Sequence, residues 1–556
     1  MFARVSYHLR GNFIFYAMAL LYVALVFTWY FKPPWFIDHL IYLHLATPEN
    51  LNDLNFWSDS GVSVNPGHHN ERWGVLVPIM VFEKIFFFLT PGQSSQALIF
   101  AVYIGIFYFL YRIVYVNNGK LSANLLAVFF VLGVHHTKNR ATEILADPFG
   151  VLYLLVAIYI LSKYKEKLSF RHFFIIGCML AASAFTKIHY GIFVILFLIW
   201  IWIWYRSNVW KVAIPAAIIG GILFLLSLDI IMYLLLDRDI FFQINSNTIS
   251  VLIGYISGGL GVSDGPGNNG WSYEWIKLIV QHNFLPFSFL ISTVIIASRG
   301  VNYSTILAWS SLSFLLLIIV LSSVSNFPAN DSYAFPVYIL SIASIAVITS
   351  EFKPKELKDS AFILLVFIVC IFALYSIYDL GSVKSDKFFV SYKSLTIVLS
   401  TVIFSLILVK KRTIFLVFVY LMIIGSDIFW HNWKNIENHS WWRDGYNWHY
   451  DYLNSVESLD LSDGVYQVHF RDWPRIKDRD AREAMYIEPG IRSLNRKSID
   501  IYPKVGSGSL NIRKDTDYIL TDYKEVYDRF TLINSRSFVT KDDNKKHSLY
   551  LYIIDE

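Results

Sequence analysis

Thirteen apolar stretches of near-spanning length recur along this chain, at about 13–31, 97–116, 121–135, 148–162, 171–187, 189–204, 212–236, 280–298, 304–324, 334–350, 360–379, 394–409 and 413–430. A bilayer-crossing helix needs ~20 such residues to bridge a hydrocarbon core of ~30 Å. A soluble core has no place for so many segments without a polar face. The 556 residues are 55% hydrophobic and 17% aromatic, with a mean hydropathy of +0.47, which excludes an ordinary soluble globule of this size. The pattern predicts a polytopic α-helical membrane protein with about 13 transmembrane helices.

One more apolar run, 75–90, carries Glu83 and Lys84 at its middle and lies between Gly74 and Pro91-Gly92. It reads as interfacial rather than spanning. The charges agree with that choice. With thirteen spans and Arg4 and Arg10 inside, the basic residues fall in inside turns: Arg112/Lys120, Lys163/Lys165/Lys167/Arg171, Arg206/Lys211, Arg299, Lys353/Lys355/Lys358 and Lys410/Lys411/Arg412. A fourteenth span would invert every later loop. Odd parity puts the C-terminus outside. The first span is too long for a secretory signal and lacks its cleavage pattern, so it is expected to stay as an anchor.

The formal charge of +5 is split. Residues 432–556 hold 19 Lys+Arg against 21 Asp+Glu, so the excess sits on the membrane part, mostly in inside turns. That is a topology signal and implies no nucleic acid partner. Cys178 and Cys370 both lie in expected spans, so no disulfide framework is implied. The chain divides into a membrane domain, 1–431, and an extramembrane domain, 432–556. The second has strand-like runs at 464–470, 517–520 and 548–553 and reads as a small α+β or β-rich domain.

Two outer loops concentrate the chemistry. The first, 32–96, carries Asp38, Glu49, Asp53, Asp59, His68, His69, Glu71 and Arg72, interleaved with Trp35, Tyr42, Trp57 and Trp73. The second, 135–148, brings His135, His136, Lys138, Arg140, Glu143 and Asp147 to the same face of the membrane. A third, 237–278, contains a glycine-rich run at 256–267 that suits either a flap or a plain connector. Asp229 and Asp427 lie within expected spans, where a carboxylate is costly and faces the interior or a water-filled cavity; neither receives a role.

The spacing Asp38-x3-Tyr42-x3-Ala46, then His69-x2-Arg72-x5-Pro78, then Ala146-Asp147 entering a span and Thr186-Lys187 at the outer end of a later one, resembles GT-C type polyprenyl-phosphate-sugar glycosyltransferases. The nearest in pattern are the protein O-mannosyltransferases and the bacterial aminoarabinose transferases that modify lipid A. Asn330-Asp331-Ser332-Tyr333-Ala334-Phe335-Pro336 is similar to the tyrosine-proline segment that opens a late span in that family. The resemblance covers about 30–190 in motif and the rest in layout. A Trp-Trp-Arg-Asp-Gly-Tyr run at 441–446 is similar to an oligosaccharyltransferase signature, but Arg443 interrupts it, and it reads as an aromatic belt with a turn.

The resemblance implies an inverting enzyme. A sugar on a polyprenyl phosphate already has a good leaving group, so the protein must activate the acceptor and neutralise the departing phosphate. Asp38 is the implied base, and Asp147 a second essential carboxylate that orients the acceptor or a metal ion. Arg72 and Lys187, with Lys138 and Arg140, would hold the donor phosphate. His68 and His69 would add donors there or position the acceptor, a task Tyr42, Glu143 and Tyr333 would share. An ordinary helix N-cap competes for Asp147, and a boundary lysine for Lys187. No cofactor is assigned, and a requirement for a divalent metal ion stays open.

The expected partners are a polyprenyl-phosphate-linked sugar donor, membrane lipids, and a glycan, glycolipid or lipid A acceptor. The expected location is a bacterial inner membrane, with the N-terminus cytoplasmic and the C-terminal domain periplasmic. The rival readings are transfer of a preassembled glycan, as in an O-antigen ligase or oligosaccharyltransferase, and a lipid-linked glycan flippase. A flippase would bury its charges along a transmembrane path, whereas this sequence gathers them in outer loops.

Overall fold

The computed structural model describes residues 13–30, 42, 43, 46, 72–133, 141–204 except 143 and 166, 214–224 except 217, 226, 227, 230, 302–324 and 331–351. In the C-terminal part it describes 452, 455–471, 491, 499–505, 510–539 and 546–555. The expected spans at 280–298, 360–379, 394–409 and 413–430 lie outside these residues, as do the glycine-rich run at 256–267 and the Trp441–Tyr446 segment. The chain divides into two compact units. One comprises 1–30, 102–140 and 146–433, the other 31–101, 141–145 and 434–556.

Nine helices are named here in chain order: α1 Phe13–Leu25, α2 Trp73–Ile85, α3 Pro91–Asn118, α4 Lys120–Val128, α5 Ala146–Tyr164, α6 Phe170–Ala184, α7 Ile188–Trp204, α8 Tyr303–Val324 and α9 Asp331–Glu351. Among the described residues, α3, α5 and the Tyr303–Val320 part of α8 are long and apolar enough to cross a membrane. α1 and α4 each run on into a π-helical turn, Val26–Tyr30 and Phe129–Gly133. α2 has 13 residues, so it reaches about 20 Å, short of the ~30 Å hydrocarbon core.

In the first unit α5 packs on α6, α6 on α7, α7 on α8, α8 on α9 and α9 on α4. Apolar faces alone give helices little reason to associate in lipid, so small polar side chains and tight contacts fix the pairs. Asn117 donates to Ser162 Oγ at 3.1 Å, Ser304 to Asn118 Oδ1 at 2.8 Å, and the Trp200 indole to Ser313 at 2.9 Å. Trp200 also stacks on Trp309, with ring centres 5.0 Å apart. Phe107 stacks between Phe15 at 4.9 Å and Phe130 at 4.8 Å, which ties α3 to α1 and to the π turn after α4.

The C-terminal residues form a five-stranded mixed sheet: β1 Gly464–Phe470, β2 Ile499–Val505, β3 Tyr518–Thr521, β4 Phe530–Val539 and β5 Lys546–Ile554, in the spatial order β2-β1-β3-β5-β4. β1 lies parallel to both β2 and β3, while β3–β5 and β5–β4 are antiparallel. Residues 466–470 of β1 are buried in succession, as a parallel strand covered on both faces should be. The outermost strands are β2, which carries Pro503, and β4, which is exposed along most of its length. Pro503 lacks an N–H for the ladder and is suited to an edge.

Candidate functional site

The site in the first unit begins with one glycine-dependent approach and a tight turn. α6 and α7 are joined by Phe185-Thr186-Lys187, where the Phe185 N–H donates to Ala181 O at 3.0 Å and the Tyr190 N–H to Lys187 O at 2.9 Å. The Thr186 hydroxyl donates to Ser183 O at 2.7 Å, which seals the turn. α5 lies against this turn at Gly150. A Cβ there would come within 2.6 Å of Thr186 Oγ1 and 2.8 Å of the Tyr190 ring. The Ser183 hydroxyl fixes the approach by donating to Gly150 O at 2.8 Å.

Three residues before Gly150, in the first turn of α5, the Asp147 carboxylate meets the same turn. Lys187 Nζ stands 3.0 Å from Asp147 Oδ2, with the lysine side chain 12% and the carboxylate 1% exposed. His189 Nε2 lies 3.3 Å from Oδ1. His189 is itself buried, with its ring 4.6 Å from Tyr190 and 6.1 Å from Phe314. The carboxylate therefore turns to a cation 40 residues away, where an N-cap would turn to backbone N–H groups of its own helix. Breaking a buried pair of this kind by removing one member leaves an uncompensated charge.

The second unit holds two other motif residues. Ala46 donates its N–H to Tyr42 O at 2.9 Å. Arg72 is the residue before α2, and its carbonyl accepts the Leu76 N–H at 3.0 Å. Its guanidinium donates to the Tyr42 hydroxyl and lies 5.6 Å from the centre of that ring. Both side chains are buried.

Of the residues singled out in the sequence, the structure thus pairs Asp147 with Lys187, and Tyr42 with Arg72. Asp38, His68, His69, Lys138, Arg140 and Glu143 lie outside the described residues, and Tyr333 falls in α9 with its side chain outside them. His189 escaped the sequence reading. Its signal was available: a histidine at the head of a strongly apolar helix, two residues after a lysine. Gly150 escaped it too, and only the packed structure marks that glycine.

Among the described residues no group of three or more His, Cys, Asp and Glu could hold a metal ion. At Asp147 the donor set does not fit one. The Lys187 ammonium already stands at the carboxylate, and a second cation there would face its charge.

No protein-family model and no curated protein matches the sequence. Solved structures do. The chain is similar to the crystal structure of ArnT from Cupriavidus metallidurans bound to undecaprenyl phosphate, with 10% identity and a TM-score of 0.47 over 96% of this chain and 97% of that one. It is likewise similar to the same protein in the apo state, with 10% identity and a TM-score of 0.48 over 99% and 98% of the two chains. At this identity and TM-score the likeness assigns no role to any residue.

Proposed function

We propose that the chain is an inverting membrane glycosyltransferase that moves a sugar from a polyprenyl phosphate to a hydroxyl of a periplasmic glycan, glycolipid or lipid A. The observation that carries the reading is the buried Asp147–Lys187 pair, with His189 beside it, at the head of a helix able to cross a membrane. A charged pair at such a place is costly to keep and marks a site of use. It also joins two residues that the motif resemblance names separately.

In this reading Asp38 takes the proton of the acceptor hydroxyl, whose oxygen attacks the anomeric carbon from the face opposite the phosphate. The bond from that carbon to the phosphate oxygen breaks, and the phosphate leaves with the pair of electrons. Arg72 and Lys187 offset its charge, with Lys138 and Arg140 as further donors. Asp147 holds the Lys187 ammonium in one place, so that the ammonium need not reorganise as charge develops on the phosphate. Tyr42 performs the corresponding task for Arg72 through its hydroxyl and ring. A monosaccharide donor, an inner-membrane location and an outward-facing C-terminal domain complete the proposal.

Mass spectrometry of lipid-linked sugars in cells of the native host tests it. Deletion and Asp38→Ala strains should accumulate one polyprenyl-phosphate monosaccharide that the wild type does not. Accumulation of a long lipid-linked glycan would favour a ligase or flippase, and wild-type behaviour of Asp38→Ala would remove Asp38 from catalysis.

A further inference from the structure

The strand order of the C-terminal sheet creates a place for a ligand that the transfer chemistry does not use. From β1 the chain goes to β2 on one side, then crosses back past β1 to β3 on the other, and from β3 it moves on towards β5 and β4. The connections after β1 and β3 therefore diverge. In open sheets with parallel strands, ligands bind in the crevice that such a divergence opens beyond the carboxyl ends of the two strands.

The residues gathered there are polar and aromatic. Arg471 follows β1, and its guanidinium lies 3.5 Å over the centre of the Tyr523 ring, just after β3. Its Nη2 donates to Glu525 at 3.2 Å, with the two side chains 36% and 45% exposed. The Arg471 N–H donates to Asp522 at 2.7 Å, which locks the backbone of one strand end to the other. The Tyr523 hydroxyl meets buried His469 Nδ1 at 2.7 Å and accepts from the Tyr527 hydroxyl at 3.0 Å. Burial, then the bond to Tyr523, push the Tyr527 phenol above its ordinary range, so it remains a protonated donor at neutral pH. Arg471 Nε is buried and has no hydrogen-bond partner among the described residues.

We propose that the crevice beyond β1 and β3 is a carbohydrate-binding site, formed by Arg471, Tyr523, Glu525 and Tyr527 and held by His469 and Asp522. Among the described residues, Arg471 faces two carboxylates, Asp522 and Glu525, a balance that does not favour an anion. It offers a guanidinium fork, a carboxylate and phenols that both donate and accept, next to aromatic surface. Adjacent hydroxyls of a sugar need that mixture of donors and acceptors, and its C–H face suits the aromatic surface. The inference does not depend on the glycosyl-transfer reading.

The test uses the full-length protein in lipid nanodiscs and ligand-observed saturation-transfer NMR, with mannotriose, chitotriose and maltotriose as probes and inorganic phosphate as competitor. At least one trisaccharide should bind the wild type. Arg471→Met should weaken that binding by at least about tenfold and Tyr523→Phe by several-fold. Arg513→Met, which breaks the other arginine–tyrosine stack of this sheet, at 3.6 Å over Tyr502, should leave it unchanged. Binding at the transfer site would survive all three changes, so equal binding in Arg471→Met and Tyr523→Phe overturns the proposal. So does the absence of binding by all three sugars, or displacement by millimolar phosphate. Should Arg471→Met fail to fold, Tyr523→Phe, which keeps the ring, decides alone.

Discussion

Replacing Gly150 with alanine tests the construction of the Asp147 site without touching a charged residue. The new Cβ would stand 2.6 Å from Thr186 Oγ1, about 0.8 Å inside the 3.4 Å at which contact becomes ordinary, and 2.8 Å from two atoms of the Tyr190 ring. Neither neighbour is the free end of a flexible chain. Thr186 Oγ1 is held to Ser183 O at 2.7 Å, and Tyr190 is fully buried. α5 must therefore back away from the α6–α7 turn and strain the Ser183–Gly150 bond and the Asp147–Lys187 pair together. Overpacking of this kind costs about 1–3 kcal/mol, and the upper end applies where two fixed groups are struck. Against it stands a gain of about 1 kcal/mol in helix propensity, leaving a net loss of about 2 kcal/mol. Gly191→Ala provides the reference, since its Cβ would meet only Ala184 Cβ at 3.8 Å and should keep the propensity gain. Thermal unfolding of both variants in nanodiscs, followed by tryptophan fluorescence, should place Gly150→Ala well below wild type and Gly191→Ala at or above it. An apparent Tm for Gly150→Ala equal to that of Gly191→Ala would refute the close approach and the site built on it.

Lys187→Met should cost about 3–5 kcal/mol of stability by leaving Asp147 buried without its cation, and adding Asp147→Asn should recover part of that loss. Additive Tm losses in the double variant would deny the pair. Tyr42→Phe should lower stability by about 1.5–3 kcal/mol, because the buried Arg72 loses a hydrogen-bond acceptor, and should raise KM for the lipid-linked donor. An unchanged KM would separate Arg72 from donor binding. Gly464→Ala should destabilise the sheet more than Gly119→Ala destabilises the α3–α4 turn. Both glycines have positive φ, at +145° and +90°, but only Gly464 meets Asp517 Oδ2 and the Tyr518 ring, each at 2.9 Å. Equal Tm shifts would mean that backbone strain alone matters at both positions.

Among the described residues, several helices were legible because long apolar runs announce themselves. The run at 304–324 is α8 within a residue, and 189–204 is α7 likewise. The π-helical turns after α1 and α4 were not legible, since an apolar run looks the same whichever carbonyl each N–H chooses. In the C-terminal part the alternating runs at 464–470 and 548–553 coincide with β1 and β5. β2 and β4 were missed for different reasons. Pro503 argues against a strand unless it lies at an edge, and the polar Asn534-Ser535-Arg536-Ser537 stretch belongs to a strand with little to bury. Among the candidate residues, motif spacing picked out Asp147, Lys187, Tyr42 and Arg72 one by one. Which of them touch is a property of packing that spacing does not carry, and for that reason His189 and Gly150 came to notice only with the fold.

The 40-residue separation of Asp147 from Lys187 also bears on how the protein is made. At roughly 5–20 residues per second, Asp147 leaves the ribosome on the order of 2–8 s before its partner exists. Its position in the first turn of α5 lets the carboxylate wait at the water edge during that interval, where a charge is far cheaper than at mid-membrane. The lysine then arrives on the turn that brings α6 and α7 back to the same end of α5. The carboxylate of α5 thus depends on a partner that is synthesised after it.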